Sequence, residues 1–249
     1  MNQHALVIGG SSGIGLALVE ALLADPQWAC VTAASRSAVE TPALSALKTE
    51  HGERLQSLAL DVGSEASIEQ AAIALRARHP ALHLLINTAG LLHGEGLSPE
   101  RRLADVQAEQ LLRSYAVNAV GPILIAKHFQ PLLSHDARAV LATLSARVGS
   151  IGDNRLGGWY AYRAAKAAQN QLMRTAAIEL ARRAPQLICV SLHPGTVETE
   201  LSAPFRGNVA ADKLFTPAFA AERLLAVIAS LGRESSGRFY AWDGREIPW

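Results

Sequence analysis

Cysteine is scarce: the 249-residue chain has two, Cys30 and Cys189, each inside an apolar, strand-like run. That excludes a disulfide framework, and no metal-ligand spacing surrounds either thiol, so both are expected to be small core hydrophobes in a reducing compartment. An excess of charge of one sign is also missing, because 23 Lys+Arg face 22 Asp+Glu for a formal net charge of +1. Nucleic acids and anionic membranes attract clustered basic charge, and Arg101-Arg102 and Arg182-Arg183 are only isolated pairs, expected on solvated helix faces. There is no apolar run of about 18 residues to span a bilayer. Met1-Asn2-Gln3-His4 leads into strand-like sequence without a basic leader, so a cytoplasmic chain is expected. Repeats, low-complexity tracts and linkers are absent too, which points to one domain over 1–249. With 49% apolar side chains, a chain this long buries about three quarters of its unfolded surface without staples.

Short apolar runs at 5–8, 29–33, 55–60, 82–86, 140–144, 187–192 and 238–242 alternate with longer Ala/Leu-rich periodic stretches at 14–24, 42–50, 65–78, 106–133, 160–183 and 217–231. Thr41-Pro42 and Thr216-Pro217 each place a cap before a first-turn proline, and Ser64 precedes an acidic first turn. Strands that are apolar throughout and separated by helices fit a parallel sheet covered on both faces. The expected fold is a doubly wound α/β sheet of seven parallel strands, whose ligands bind beyond the carboxyl ends of the strands. The longest irregular stretch, 194–215, follows the sixth strand and reads as a lid over 194–216.

The first strand runs into Gly9-Gly10-Ser11-Ser12-Gly13-Ile14-Gly15 and then a helix. Gly9 suits a tight turn, Gly13 close approach of backbone to a pyrophosphate, and Gly15 close helix–strand contact. The helix N-terminus adds free N–H groups and partial positive charge. A glycine-rich turn without a ligand is the alternative; the place of this loop after strand one favours a dinucleotide. The second strand ends Ala33-Ala34-Ser35-Arg36-Ser37, with a guanidinium and no carboxylate. Arg36 could pair with a 2′-phosphate, which favours NADP(H) over NAD(H); otherwise it is an ordinary loop arginine. Asp61-Val62 closes the third strand, so that Asp61 either meets the adenine amino group or serves as a turn residue.

Tyr162-Arg163-Ala164-Ala165-Lys166 places a phenol and an ammonium one helical turn apart on one face. The ordered set Gly9-x-x-x-Gly13-Ile14-Gly15, Asp61-Val62, Asn87-Thr88-Ala89-Gly90, Asn118-Ala119-Val120-Gly121, Tyr162-x-x-x-Lys166 and Pro194-Gly195-Thr196-Val197-Glu198-Thr199 resembles the short-chain dehydrogenase/reductase family over essentially the whole chain. The ending Trp242–Trp249 and the block Gly157-Gly158-Trp159-Tyr160-Ala161-Tyr162-Arg163 look like its branch of C-factor and sniffer-type carbonyl reductases.

The resemblance implies that Tyr162 is the general acid for carbonyl reduction and the base for alcohol oxidation. Lys166 would lower the phenol pKa and bond the nicotinamide ribose. Asn118 would hold a water in the proton relay, or else be a kink residue ahead of Gly121-Pro122. A cation beside a phenol favours phenolate, each pKa unit corresponding to about 1.4 kcal/mol. Asn87, Ala89, Gly90, Pro194, Gly195, Val197 and Thr199 would line the cofactor, Val197 and Thr199 at the nicotinamide. A serine bonding the substrate oxygen is expected about a dozen residues before the tyrosine. Ser145 lies seventeen before Tyr162, Ser150 twelve. Ser145 is preferred because it ends a strand and the insert 153–158 absorbs the extra length; Ser150 competes, and Thr143 comes third. Two departures stand out: Ile8 where the family usually has Thr, and Thr88 where it often has Asn.

Leu91, Leu92, Trp159, Phe205, Leu214 and Phe215 would gather around the nicotinamide as a mostly apolar pocket, with His93 a polar exception or simply solvated. The leading expectation is an NADP(H)-dependent carbonyl reductase or alcohol dehydrogenase acting on a small molecule. A nucleotide-binding sensor with little turnover is the alternative, and a methyltransferase is disfavoured by the glycine spacing. Relatives pair through the two long helices, here 106–133 and 160–183, so a homodimer or homotetramer is expected.

Overall fold

A computed structural model describes residues 3–36, 41–208, 210 and 213–249. Met1, Asn2 and Ser37 lie outside the described residues, as do Val209, Ala211 and Asp212 of the expected lid. The apolar runs become β1 (Gln3–Ile8), β2 (Trp28–Ser35), β3 (Leu55–Ala59), β4 (Leu84–Asn87), β5 (Ala139–Leu144), β6 (Leu187–His193) and β9 (Phe239–Ala241). They form one seven-stranded sheet in the order β3-β2-β1-β4-β5-β6-β9, with every pairing parallel. The order reverses between β1 and β4, the place where a doubly wound sheet opens its ligand crevice.

Successive strand residues feed opposite faces of the sheet. Ala5, Val7, Val140, Ala142 and Leu144 pack with α1 (Gly13–Ala24), α2 (Pro42–His51) and α7 (Pro217–Ser230). Leu6, Ile8, Leu141 and Cys189 pack with α3 (Glu65–Arg78), α5 (Gly121–Leu133) and α6 (Tyr160–Arg183). The two faces need both parities of the strand to be apolar, which is why the strands show no alternation. Both thiols are free and buried, and burial pushes that of Cys189 up to about 12. The expected caps form: Thr41, Ser64 and Thr216 accept bonds from the backbone N–H of Leu44, Ser67 and Phe219.

The periodic stretch 106–133 is not one regular helix. It is α4 (Ala108–Tyr115), a π-helical turn Ala116–Val120, then α5. Pro122 has no N–H for the carbonyl one turn back, and Gly121 lies where a Cβ would press on Val62 (Cβ at 3.3 Å), so the helix is rewound where it crosses the end of β3. The stretch 194–215 is not wholly irregular either: β7 (Thr196–Val197) pairs in parallel with β8 (Leu214–Phe215), and a 3₁₀ turn spans Ala203–Asn208. No helix among the described residues is long and apolar enough to cross a membrane.

Candidate active site

The carboxyl ends of the parallel strands lie on one side of the sheet; the glycine loop leaves β1, Asn87–Gly90 closes and follows β4, Ser145 follows β5 and Pro194–Thr199 follows β6, while Asn118 and the Tyr162/Lys166 pair stand on helices. After β1, Gly9 takes φ +83°, and its N–H and that of Gly10 donate to Ala34 O. A Cβ on Gly15 would overlap Gly9 O and stand 2.7 Å from Gly9 C and 2.8 Å from Thr88 Oγ1. The loop and α1 are therefore in backbone contact. Ser12 occupies the N-cap of α1 without a side-chain capping bond, so the first-turn amides around Gly13 and Ile14 are not closed off by it. Ser11 is half-buried and Ser12 exposed. Arg36 is exposed just beyond β2, beside this loop.

Thr88 donates through its N–H and Oγ1 to Ile8 O, both at 2.8 Å, tying β4 to β1. Asn87 is buried, accepts from Ala89 N at 3.1 Å and lies 3.4 Å from Thr143 Oγ1. Gly90 passes under Asn118, whose Oδ1 would be 3.4 Å from a Cβ there. Asp61 closes a turn, its Oδ1 accepting from Gly63 N at 2.9 Å, and Val62 is buried under α5. Past β6, Pro194 is half-buried, Gly195 has φ +82°, Val197 is buried and Thr199 touches the glycine loop, its Cγ2 3.1 Å from a Cβ built on Gly13.

Asn118 is buried in the π turn. Its Oδ1 accepts from Leu91 N (2.9 Å), and its Nδ2 donates to Leu91 O (2.7 Å) and Ser114 Oγ (3.1 Å). The kink and the pinning of the loop after β4 are thus one feature.

Ser145 follows β5 directly; its N–H donates to Leu192 O at 2.7 Å, and its buried Oγ has no partner among the described residues. Ser150 is also buried, but its Oγ accepts from Asp153 N at 3.1 Å, inside the insert. Thr143 Oγ1 faces Asn87. Among the described residues, Ser145 is the one of the three whose Oγ takes part in no hydrogen bond, while Ser150 and Thr143 each already accept one.

Tyr162 and Lys166 are both buried in the first two turns of α6, with the ammonium 5.8 Å from the phenol ring centroid. The expected acidifying of the phenol involves a bound nicotinamide as well as Lys166; in the protein alone, burial acts the other way. Burial lifts the Tyr162 phenol well above its ordinary value and brings Lys166 down to about 7. Desolvation disfavours both charged forms, and Lys166 Nζ turns instead to Leu144 O (2.7 Å) and Gln169 Oε1 (2.8 Å).

Trp159 caps this helix in the left-handed region, φ 53°, with its N–H on Glu100 O; Glu100 Oε2 also accepts from Ala161 N at 3.1 Å. Its ring lies 6.3 Å from that of Tyr162 and 4.9 Å from that of Phe205, and Phe205 lies 5.8 Å from His93. These rings cluster beside the start of α6. Leu92 is buried, Leu91 and Leu214 half-buried. Phe215 packs on Phe219 and Trp242 and covers Gly195. Two buried residues had not been singled out from the sequence, Gln169 and Glu100. Gln169 carries a readable signal, since three positions past Lys166 on a helix is the same face. Glu100 carries none, because only the folded loop brings it to α6.

The chain matches the family described as short chain dehydrogenase over residues 3–210. It is similar to the C-signal protein of Myxococcus xanthus, 36% identical over 67% of this chain and 92% of that protein. A 1-hydroxy-2-glutathionyl-2-methyl-3-butene dehydrogenase of Rhodococcus sp. (strain AD45) is 32% identical over 76% of this chain and 78% of its own. Among solved structures, an NADPH-bound carbonyl reductase from chicken fatty liver superposes with a TM-score of 0.87 at 28% identity, covering 100% of this chain and 94% of that one. The carbonyl reductase Sniffer of D. melanogaster superposes with a TM-score of 0.85, also at 28%, covering 100% of both. With its glycine loop, its Tyr162/Lys166 helix and this match over most of its length, the chain belongs to the short-chain dehydrogenase/reductase family and is an NAD(P)-dependent oxidoreductase.

Proposed function

We propose that the protein is an NADP(H)-dependent carbonyl reductase, interconverting an aldehyde or ketone with an alcohol, with Tyr162, Lys166, Ser145 and Asn118 as its working residues. The observation that carries the reading is the buried, unpartnered Ser145 Oγ at the end of β5, beside the helix bearing Tyr162 and Lys166. A buried hydroxyl without a bond costs about 1–3 kcal/mol, a penalty that a substrate oxygen would relieve.

The fit to a dinucleotide is supported by Gly15, where any Cβ would fill the backbone contact, and by the uncapped first turn of α1. Gly9, Ser11, Ser12, Gly13, Ile14 and Gly15 would hold the pyrophosphate. Arg36 would hold the 2′-phosphate, which supports NADP(H). Asp61 and Val62 would border the adenine, and Asn87, Ala89, Gly90, Pro194, Gly195, Val197 and Thr199 the rest of the cofactor. When bound, the nicotinamide supplies or accepts the hydride. Ser145 Oγ donates to the carbonyl oxygen and orients it. Tyr162 delivers a proton to that oxygen during reduction and removes it during oxidation. Lys166, as ammonium, favours the phenolate that results. Asn118 Oδ1, which takes one bond from Leu91, keeps a lone pair for a relay water. Trp159, Phe205 and His93 border the substrate, Phe205 from the segment 194–216 that we read as a lid.

The free, buried cysteines support a reducing, cytoplasmic setting. Exposed Leu112 and Tyr115 on α4 and Ile178 on α6 support pairing of subunits through these helices. Light scattering giving twice or four times the chain mass is the expected result, and a monomer mass contradicts it.

The functional test is NADPH oxidation with a panel of aldehydes and ketones, with Tyr162→Phe beside the wild type. Turnover that disappears in Tyr162→Phe while NADPH binding persists is expected. Binding without tyrosine-dependent turnover would replace this reading with that of a nucleotide sensor.

A further inference from the structure

Lys166 does not stand alone in the floor of the site. Its Nζ donates to Leu144 O at 2.7 Å and to Gln169 Oε1 at 2.8 Å, and Gln169 Nε2 lies 3.3 Å from the same Leu144 O. The three groups close a triangle one residue before Ser145. Lys166 is 2% and Gln169 0% exposed, so water does not substitute for either bond. A carboxamide is suited to this corner: it accepts from the ammonium with one atom and donates to the carbonyl with the other. Being neutral, it steadies the cation without cancelling the field that the cation exerts on Tyr162. A carboxylate there would pair with the charge, and an apolar side chain would leave it one bond short in a low-dielectric site.

We propose that Gln169 is a positioning residue for proton transfer, holding Lys166 charged and in place while leaving its charge to act on Tyr162. This rests on the reading of Tyr162 as the proton donor. The groups facing Lys166 are few. Tyr162 and Gln169 come from its own helix, and the Leu144 carbonyl comes from β5. Gly149, from the turn after β5, abuts its Cβ. Burial is what lowers the lysine.

The test uses the full chain with Gln169→Leu and Gln169→Glu. In the cofactor-free protein, the side-chain amine of Lys166 is titrated by NMR. Gln169→Leu is expected to lower its pKa and Gln169→Glu to raise it, each by about one unit. In the alcohol-oxidising direction, both variants are expected to move the midpoint of the kcat–pH profile upward. The first weakens the cation and the second screens it. Gln169→Leu should also lose roughly tenfold in kcat with KM little changed, about 1.4 kcal/mol of transition-state support.

A merely structural glutamine would lower the melting temperature and leave both the lysine titration and the kcat midpoint where they are, and that result overturns the proposal. Should Gln169→Leu not fold, Gln169→Glu carries the test, since it fills the same space. Tyr162→Phe separates the two claims. If that variant keeps wild-type turnover, the reading of Tyr162 fails whatever Gln169 does. If it is dead while the Gln169 variants titrate and turn over as wild type, only the role of Gln169 fails.

Discussion

Replacing Gly15 with alanine asks whether the glycine loop is held by backbone contact. The new methyl would overlap Gly9 O and come within 2.7 Å of Gly9 C and 2.8 Å of Thr88 Oγ1. Ordinary carbon contacts lie at about 3.5–4.0 Å, so roughly an ångström of overlap must be relieved. None of those atoms can give way cheaply. Two belong to the backbone, and Thr88 Oγ1 is bonded to Ile8 O at 2.8 Å. Overpacking against such neighbours costs about 3 kcal/mol, the upper end of the usual range. For a chain of this size that is a fall in melting temperature of roughly 6–12 °C.

The displaced loop would also no longer present its amides to the pyrophosphate, and the same energy corresponds to about a hundredfold weaker NADPH binding. Gly52→Ala is the control. It has φ +56° and ψ −132° with nothing within 4 Å of an added Cβ, so only the backbone strain of a conformation that favours glycine remains, about 1–3 kcal/mol. Its melting temperature should fall by roughly 2–12 °C with NADPH binding unchanged, so the NADPH titration is what separates the two variants. The assays are a thermal melt and a fluorescence titration with NADPH. Gly15→Ala with wild-type melting and a Kd within about twofold would refute the contact argument.

Ser145→Ala is expected to lower kcat by about 10²–10³ with little change in NADPH affinity, while Ser150→Ala perturbs the insert and leaves kcat within a few-fold; equal effects in steady-state kinetics would contradict the choice of Ser145. Arg36→Ala should weaken NADPH by roughly ten- to a hundredfold and leave NADH nearly untouched, read as the ratio of the two Kd values; a parallel loss of both would remove Arg36 from the 2′-phosphate. Burial, aided by the nearby Arg147 and opposed by Asp243, brings His193 from 6.5 down to about 4. The unfolded chain therefore binds a proton between those values while the folded one does not, so stability is full above about pH 6.5 and falls as the pH drops toward 4, by up to about 3 kcal/mol. Melting curves between pH 7 and 5 should show this decline, and a His193→Asn variant with the same slope would assign it elsewhere, for instance to His4, His79 or His83, which burial also lowers.

Much of the molecule was legible in the order of its residues, because local rules govern it. Strands apolar on both parities require two covered faces, and Thr41, Ser64 and Thr216 cap within four residues of themselves. The glycine loop follows the first strand directly, and Tyr162 and Lys166 share a face by helical spacing alone. Other features depend on groups far apart in the chain. Ser145 and Ser150 are both serines near the right distance from Tyr162, and what separates them is tertiary: Ser150 Oγ accepts a bond from Asp153 of the insert, whereas Ser145 Oγ at the end of β5 is buried without one. Gly121-Pro122 marks a kink in the helix over 106–133, but its contacts with Val62 and Leu91 are encoded by no periodicity. The pair Tyr162 and Lys166 is a further case: spacing puts a cation beside a phenol, but burial, a property of the whole packed site, pushes the phenol up and the ammonium down, disfavouring both charged forms.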